Sequence, residues 1–177
     1  MKDLSISPAS LLMSNHVEEG PTAIYAELIA RNVIGIHRTV VADIRTILSQ
    51  LQSDSNMTLY QKERLASMQG NSHIILEGNH KAVAYGILSK EIPCTMLEDD
   101  DDVSTCIELS SQGKMIRFVH RQTELQSMVK EALGLPWMQS EQNNVAAYIE
   151  SAIEDQLFSI EQWPKYLKEI IRESHAS

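Results

Sequence analysis

The stretch from Ser72 to Leu97 limits the fold of this chain more than any other. His73 to Leu76 is a short apolar, β-branched run. Glu77-Gly78-Asn79 is a tight polar break. From His80 to Leu88 apolar residues recur at 83, 84, 87 and 88, which is helical spacing. Pro93 then restarts the chain in extended form up to Leu97. The unit therefore reads strand, sharp turn, helix, strand. Gly78 allows a backbone conformation that other residues resist, and lets a ligand approach closely. Free backbone N–H groups at the start of the following helix favour an anion, and phosphate suits that place. His80 and Lys81 stand in that first turn and add donors.

The segment Glu77-Gly78-Asn79-His80-Lys81-Ala82-Val83-Ala84 resembles the signature of the ParB/sulfiredoxin superfamily. There a strand leads into Gly-x-(Arg/His)-(Arg/Lys)-x-x-Ala at the start of a helix, and a short strand follows. The resemblance spans Thr39 to Leu97, and its specific core is eight residues. It implies a turn that binds nucleotide phosphates, with CTP or ATP as ligand. Gly78, Asn79, His80 and Lys81 would hold phosphate, and Glu77 and His80 would assist catalysis. Two departures bear on the chemistry. Asn79 stands where sulfiredoxins carry a reactive cysteine, which excludes sulfinic acid reduction. ParB has a glutamate at the same place, used with metal and triphosphate.

A length of 177 residues fits one domain with an appendage, enough to bury a core. Hydrophobic residues at 43% and charged residues at 22% are ordinary for a soluble globular chain. No apolar run approaches the roughly 18 residues of a membrane span, and no apolar signal region opens the sequence. Cys94 and Cys106 are the only cysteines. They form neither a disulfide framework nor a metal-ligand spacing, so reduced thiols in a cytoplasmic protein are expected. The net charge of −9 argues against gripping DNA by its phosphates, which takes a basic face. It suits small-molecule or protein partners. The histidines show no helical metal-site spacing. There is no Gly-x-Ser-x-Gly elbow, Walker loop or dinucleotide fingerprint.

Residues 1–20 read as a loosely held arm, in which Leu11, Leu12 and Met13 have the apolarity to dock. Gly20-Pro21 starts a helix with a stripe at Ile24, Tyr25, Leu28 and Ile29, and Asn32 ends it. Val33 to Ile36 reads as a short strand. Thr39 to Leu51 reads as a helix, with Val40, Val41, Ile44, Ile47, Leu48 and Leu51 on one face. Thr58 with Gln61 fits a capping box.

Glu98 to Asp102 is a run of acidic residues, expected as an exposed acidic loop. Its alternative is a Mg²⁺ site through Asp99 and Asp100 beside a bound nucleotide, since hard cations take oxygen ligands. Thr105–Leu109 and Met115–Val119 read as a hairpin around Gly113. Thr123 with Gln126 is a second capping box, before a helix stopped by Gly134 and Pro136. Ser140 and the pair Ser159 and Gln162 offer further helix starts. Pro164 kinks a helix or opens a new one.

The expected fold is α+β. A small mixed sheet, built from the central strands and the hairpin, is covered by the helices at 39–51 and 80–88. The core spans 21–120, and a helical section spans 121–177. The leading expectation is a nucleotide-binding protein using ATP or CTP with Mg²⁺, for phosphoryl transfer or nucleotide hydrolysis. A second is a non-catalytic module that meets a protein partner through residues 140–177. A third, lowered by the charge, is a DNA-associated regulator.

Overall fold

The computed structural model describes residues 1–67, 73–114, 122–134 and 144–175. The fold is α+β. Among the described residues five strands form one mixed sheet in the order β1 (Lys2–Ile6), β5 (Ile92–Leu97), β3 (Thr39–Asp43), β4 (His73–Glu77), β2 (Leu11–Leu12). The helices, in chain order, are α1 (Glu19–Ala30), α2 (Ile44–Ser53), α3 (Leu59–Ser67), α4 (Asn79–Ile87), α5 (Asp100–Ser111), α6 (Leu125–Leu133), α7 (Val145–Glu154) and α8 (Lys165–His175).

The strand–turn–helix–strand unit is β4, Gly78, α4 and β5, as its sequence indicates. The central strand differs from expectation. Thr39–Asp43 is β3 rather than the first turns of a helix, and it pairs parallel with β5 and antiparallel with β4. All five of its residues are buried. Val41 joins the core on one face of the sheet, while Val40 and Ala42 join the core on the other. A continuous apolar run suits a strand covered on both faces. The helix begins only at Ile44, where the Asp43 carboxylate accepts from Arg45 N at 2.9 Å. That cap fixes the strand-to-helix boundary.

The first twenty residues are no loose arm. Strand β1 pairs antiparallel with β5 at one edge of the sheet, and β2 pairs parallel with β4 at the other. Ile6, Leu11, Leu12, Met13 and Val17 are buried, and that burial holds the segment in place. Val33 to Ile36 is a turn, not a strand. Asn32 ends α1 at φ 53°, with Asn32 N donating to Ile29 O and Val33 N to Leu28 O. This is the paired bonding of a left-handed helix C-cap.

Asp100 to Asp102 of the acidic run and the residues after them form α5, so Thr105–Leu109 is helical and not half of a hairpin. Asp99 caps the helix by accepting from Asp102 N at 2.9 Å, and Asp100, Asp101 and Asp102 occupy its first turn. Carboxylates are favoured there by the helix dipole. The expected partner strand Met115–Val119 and the Ser140 cap lie outside the described residues. Thr58 and Gln61 make their reciprocal box at 2.8 and 3.2 Å. Thr123 and Gln126 do not. The N-cap of α6 is Glu124, and Leu125 N donates instead to the Asp100 carboxylate at 2.7 Å. Ser159 precedes a short 3-10 turn without a side-chain cap, and Pro164 opens α8 as a new helix.

Helices cover both faces of the sheet. Residues of α1, α4, α7 and α8 share one apolar core, and those of α2, α5 and α6 share the other. Trp163, Leu167 and Ile171 are buried in the first, so the C-terminal helices pack against their own core. No helix among the described residues is long and apolar enough to cross a membrane.

Candidate anion site at the start of the fourth helix

Gly78 sits at φ 99°, ψ 30° and is the N-cap residue of α4. That left-handed conformation strains any side chain larger than glycine's. A Cβ there would also lie 3.0 Å from Lys81 Cε and 3.3 Å from Thr39 Oγ1. The sharp turn thus favours glycine over any larger residue. Gly78 carries no capping side chain. Its own N–H donates to Glu77 Oε1 at 3.1 Å. The N–H groups of Asn79, His80 and Lys81 have no intrahelical acceptor, as at any helix start. Together with the helix dipole they make this end attractive to an anion.

Lys81 folds back beneath Gly78. It is only 2% exposed. Its ammonium donates to the carbonyl oxygens of His37 and, at 2.9 Å, Arg38. An ammonium has three N–H donors, so two acceptors leave one to spare. Its hydrogen bonds among the described residues go to carbonyls and not to a carboxylate. Burial pushes its pKa down to about 8, against a smaller opposing pull from Glu77. Thr39, 1% exposed, lies against the same turn, and its hydroxyl has no hydrogen-bond partner. A positive charge hydrogen-bonded only to carbonyls and an unpaired hydroxyl therefore meet under an uncapped helix start.

Asn79 and His80 hydrogen-bond the strap Ser14–Glu18. Asn79 Oδ1 accepts from Ser14 N at 3.1 Å and Asn15 N at 3.4 Å, and its amide donates to Ser14 Oγ at 3.2 Å. Its side chain is thus occupied. His80 Nε2 accepts from Glu18 N at 3.0 Å. An imidazolium has no acceptor nitrogen, so this bond requires neutral histidine with its proton on Nδ1. Burial pushes the pKa of His80 down, in agreement. His16 continues the cluster, its Nδ1 lying 3.1 Å from the Tyr148 hydroxyl.

Asp99 and Asp100 are not brought to this turn. Glu77 is paired with Val40, near the start of β3, whereas Leu97 is paired with Ala42 near its end. These two pairing points are two residues apart along β3, roughly 7 Å at ~3.3 Å per residue, and Asp99 and Asp100 lie beyond Leu97, farther from the turn. Asp99 and Asp100 serve as helix-capping groups there, beside Thr46 and Gln50. No group of three or more histidine, cysteine or acidic residues among the described residues is arranged to hold a metal.

The sequence points to Gly78, His80 and Lys81 but not to Thr39, the His37 and Arg38 carbonyls or the strap, which the structure sets beside them. Backbone carbonyls leave no sequence signal, and these contacts join segments more than forty residues apart. A scan against family models gives no match to this chain, and comparisons with curated proteins and with solved structures give none either.

Proposed function

We propose that the chain is a ParB/sulfiredoxin-like nucleotide-binding module, with the phosphates seated at the start of α4. The observation that carries this reading is the Lys81 ammonium, buried and hydrogen-bonded only to carbonyls beneath an uncapped helix start. Isolated buried charge is costly unless compensated. Two carbonyls compensate part of it, and an arriving phosphate supplies the missing negative charge. The N–H groups of Asn79, His80 and Lys81 and the Nδ1–H of His80 are the directional donors. Asn79 contributes its backbone only.

The ligand class is a nucleoside triphosphate, ATP or CTP, with Mg²⁺ carried on its phosphates. Glu77 is the carboxylate nearest the turn in sequence and the residue to hold that ion or accept a proton. If the module turns nucleotide over, the reaction is phosphoryl transfer or hydrolysis. In such chemistry positioning and charge neutralisation do most of the work. The test is calorimetric titration with ATP and CTP, with and without Mg²⁺, on the native chain, His80→Ala and Lys81→Met. Saturable binding that weakens in both variants supports the reading. Equal binding in all three removes it.

A second reading has its own support. Asn79 and His80 spend their side chains on holding the strap, which is what a purely architectural turn would do. The chain would then be a non-catalytic interaction module. Circular dichroism distinguishes the two. If Asn79→Ala loosens the fold and no nucleotide binds, the turn is architecture.

A further inference from the structure

A groove opens beside Lys81, between α1 and the turn that follows it. Its walls are Tyr25, Leu28, Val33, Ile34 and Ile36, and Lys81 is its charged lining residue. The walls are unusual for a surface. Ile34 is 97% exposed and Val33 44%. They stand on a turn tied by the Val33 N to Leu28 O bond at 3.0 Å, so the exposed apolar side chains belong to a hydrogen-bonded turn and not a free end. Single exposed apolar residues need no explanation. Several lining one groove with a buried cation at its side do.

The size of the groove narrows the occupant. About 230 Å³ is below the roughly 300–1,000 Å³ of sites that engulf a drug-sized ligand. It admits one ring system rather than a whole nucleotide or a helix. The charge narrows it further. A ring with an anionic tail satisfies both the apolar walls and Lys81. Lys81 links the groove to the start of α4, because its backbone is in the first turn of the helix while its side chain lines the groove. Tyr25 supplies an aromatic wall, and His37 supplies polar groups that can meet a heterocycle's edge.

Building on the phosphate site proposed above, we infer that this groove seats the base of the bound nucleotide, with Lys81 between base and phosphates. The phosphates then give affinity common to all nucleotides. The groove adds the affinity that separates a nucleotide from bare phosphate.

The test compares tripolyphosphate with ATP, CTP, GTP and UTP on the native chain, Ile34→Ser and Tyr25→Ala. Ile34 is on the surface, so Ile34→Ser folds. The native chain binds at least one nucleotide more tightly than tripolyphosphate. Ile34→Ser weakens that nucleotide by roughly tenfold, as expected for loss of one apolar contact of this size. Its affinity for tripolyphosphate is unchanged. Methyl-labelled isoleucine adds a readout independent of any substitution: the Ile34 and Ile36 signals shift with the nucleotide and stay in place with tripolyphosphate. If nucleotide and tripolyphosphate bind equally, and the Ile34 signal does not move, the base seat is wrong while the phosphate site stands. If neither ligand binds, both proposals fall together.

Discussion

The Lys81 ammonium donates to the Arg38 carbonyl at 2.9 Å, from a helix that begins 41 residues after that carbonyl in the chain. With the matching bond to His37, this ties the loop before β3 to the first turn of α4. One side chain thus holds the fold together at the point where its charge is least compensated.

The buried lysine makes stability depend on alkaline pH. Its pKa is about 8 in the folded chain against an ordinary 10.5. Between those values the unfolded chain binds a proton that the folded chain does not. Stability from this group therefore rises with pH across that window. The buried Cys94 and Cys106 thiols, pushed up to about 12, act in the opposite direction in both proteins, so the readout of urea unfolding between pH 8 and 10.5 is the difference between the native chain and Lys81→Met, which should move in favour of the native chain as pH rises. The substitution also leaves the two carbonyls without their donor, costing about 1–3 kcal/mol near pH 7. The lost desolvation penalty offsets part of that.

Gly78→Ala should destabilise by roughly 1–3 kcal/mol, the usual cost of holding a side chain in a strained backbone region. The new Cβ also presses on Lys81 Cε and Thr39 Oγ1. Urea unfolding of Gly78→Ala measures the loss. A change below about 0.5 kcal/mol, the range of ordinary surface substitutions, would contradict the turn geometry.

Gly86 explains how closely α4 and α7 pack. A Cβ at that position would fall 2.5 Å from Ile149 Cδ1 and 3.2 Å from Val145 Cγ1. Alanine gains about 1 kcal/mol of helix propensity over glycine, but overpacking costs about 1–3 kcal/mol, so Gly86→Ala should be a net loss. Ile149→Val removes the nearest atom. In that background Gly86→Ala should be less damaging, and a double-mutant cycle reads the difference. Simple additivity would contradict the contact.

Acid should loosen the strap. Burial holds His80 below its ordinary 6.5. Below that pH the unfolded chain takes up a proton more readily than the folded chain, so stability falls as pH drops from 6.5. Protonation also removes the acceptor for Glu18 N. Amide exchange at Glu18 should accelerate between pH 7 and 5, after correction for intrinsic rates. His80→Gln keeps an acceptor without a titrating ring and should flatten that response. His73 shifts in the same direction, so the difference between the two proteins is the readout.

Local structure was the legible part of the sequence. The turn at Gly78, the box of Thr58 and Gln61 and the helix end at Asn32 are set by neighbours a few residues apart, and each stands where its residues indicate. The errors arose where two periods coincide or where distant pairing decides. Val40, Val41, Ile44, Ile47 and Leu48 satisfy a helical stripe, yet the first two belong to a strand buried on both faces. Thr105 to Leu109 is a short, mostly apolar run that reads as a strand, but the four aspartates before it cap and charge a helix start. The strands of residues 2–12 exist only because β5 and β4 offer edges to pair with. The candidate site divides the same way. Its glycine, histidine and lysine were visible, while the carbonyls that Lys81 grips and the strap that Asn79 holds are long-range contacts.

The most direct test of the central claim is thermal unfolding with and without Mg²⁺ across ATP, ADP, CTP and GTP. A ligand that binds only the folded chain raises its stability with saturation, by about 2.7 kcal/mol at a hundred times Kd. The account predicts a rise in Tm for at least one nucleotide, diminished in both His80→Ala and Lys81→Met. Unchanged melting at millimolar nucleotide would contradict it, and would leave the start of α4 as a structural junction held by Lys81 and Asn79.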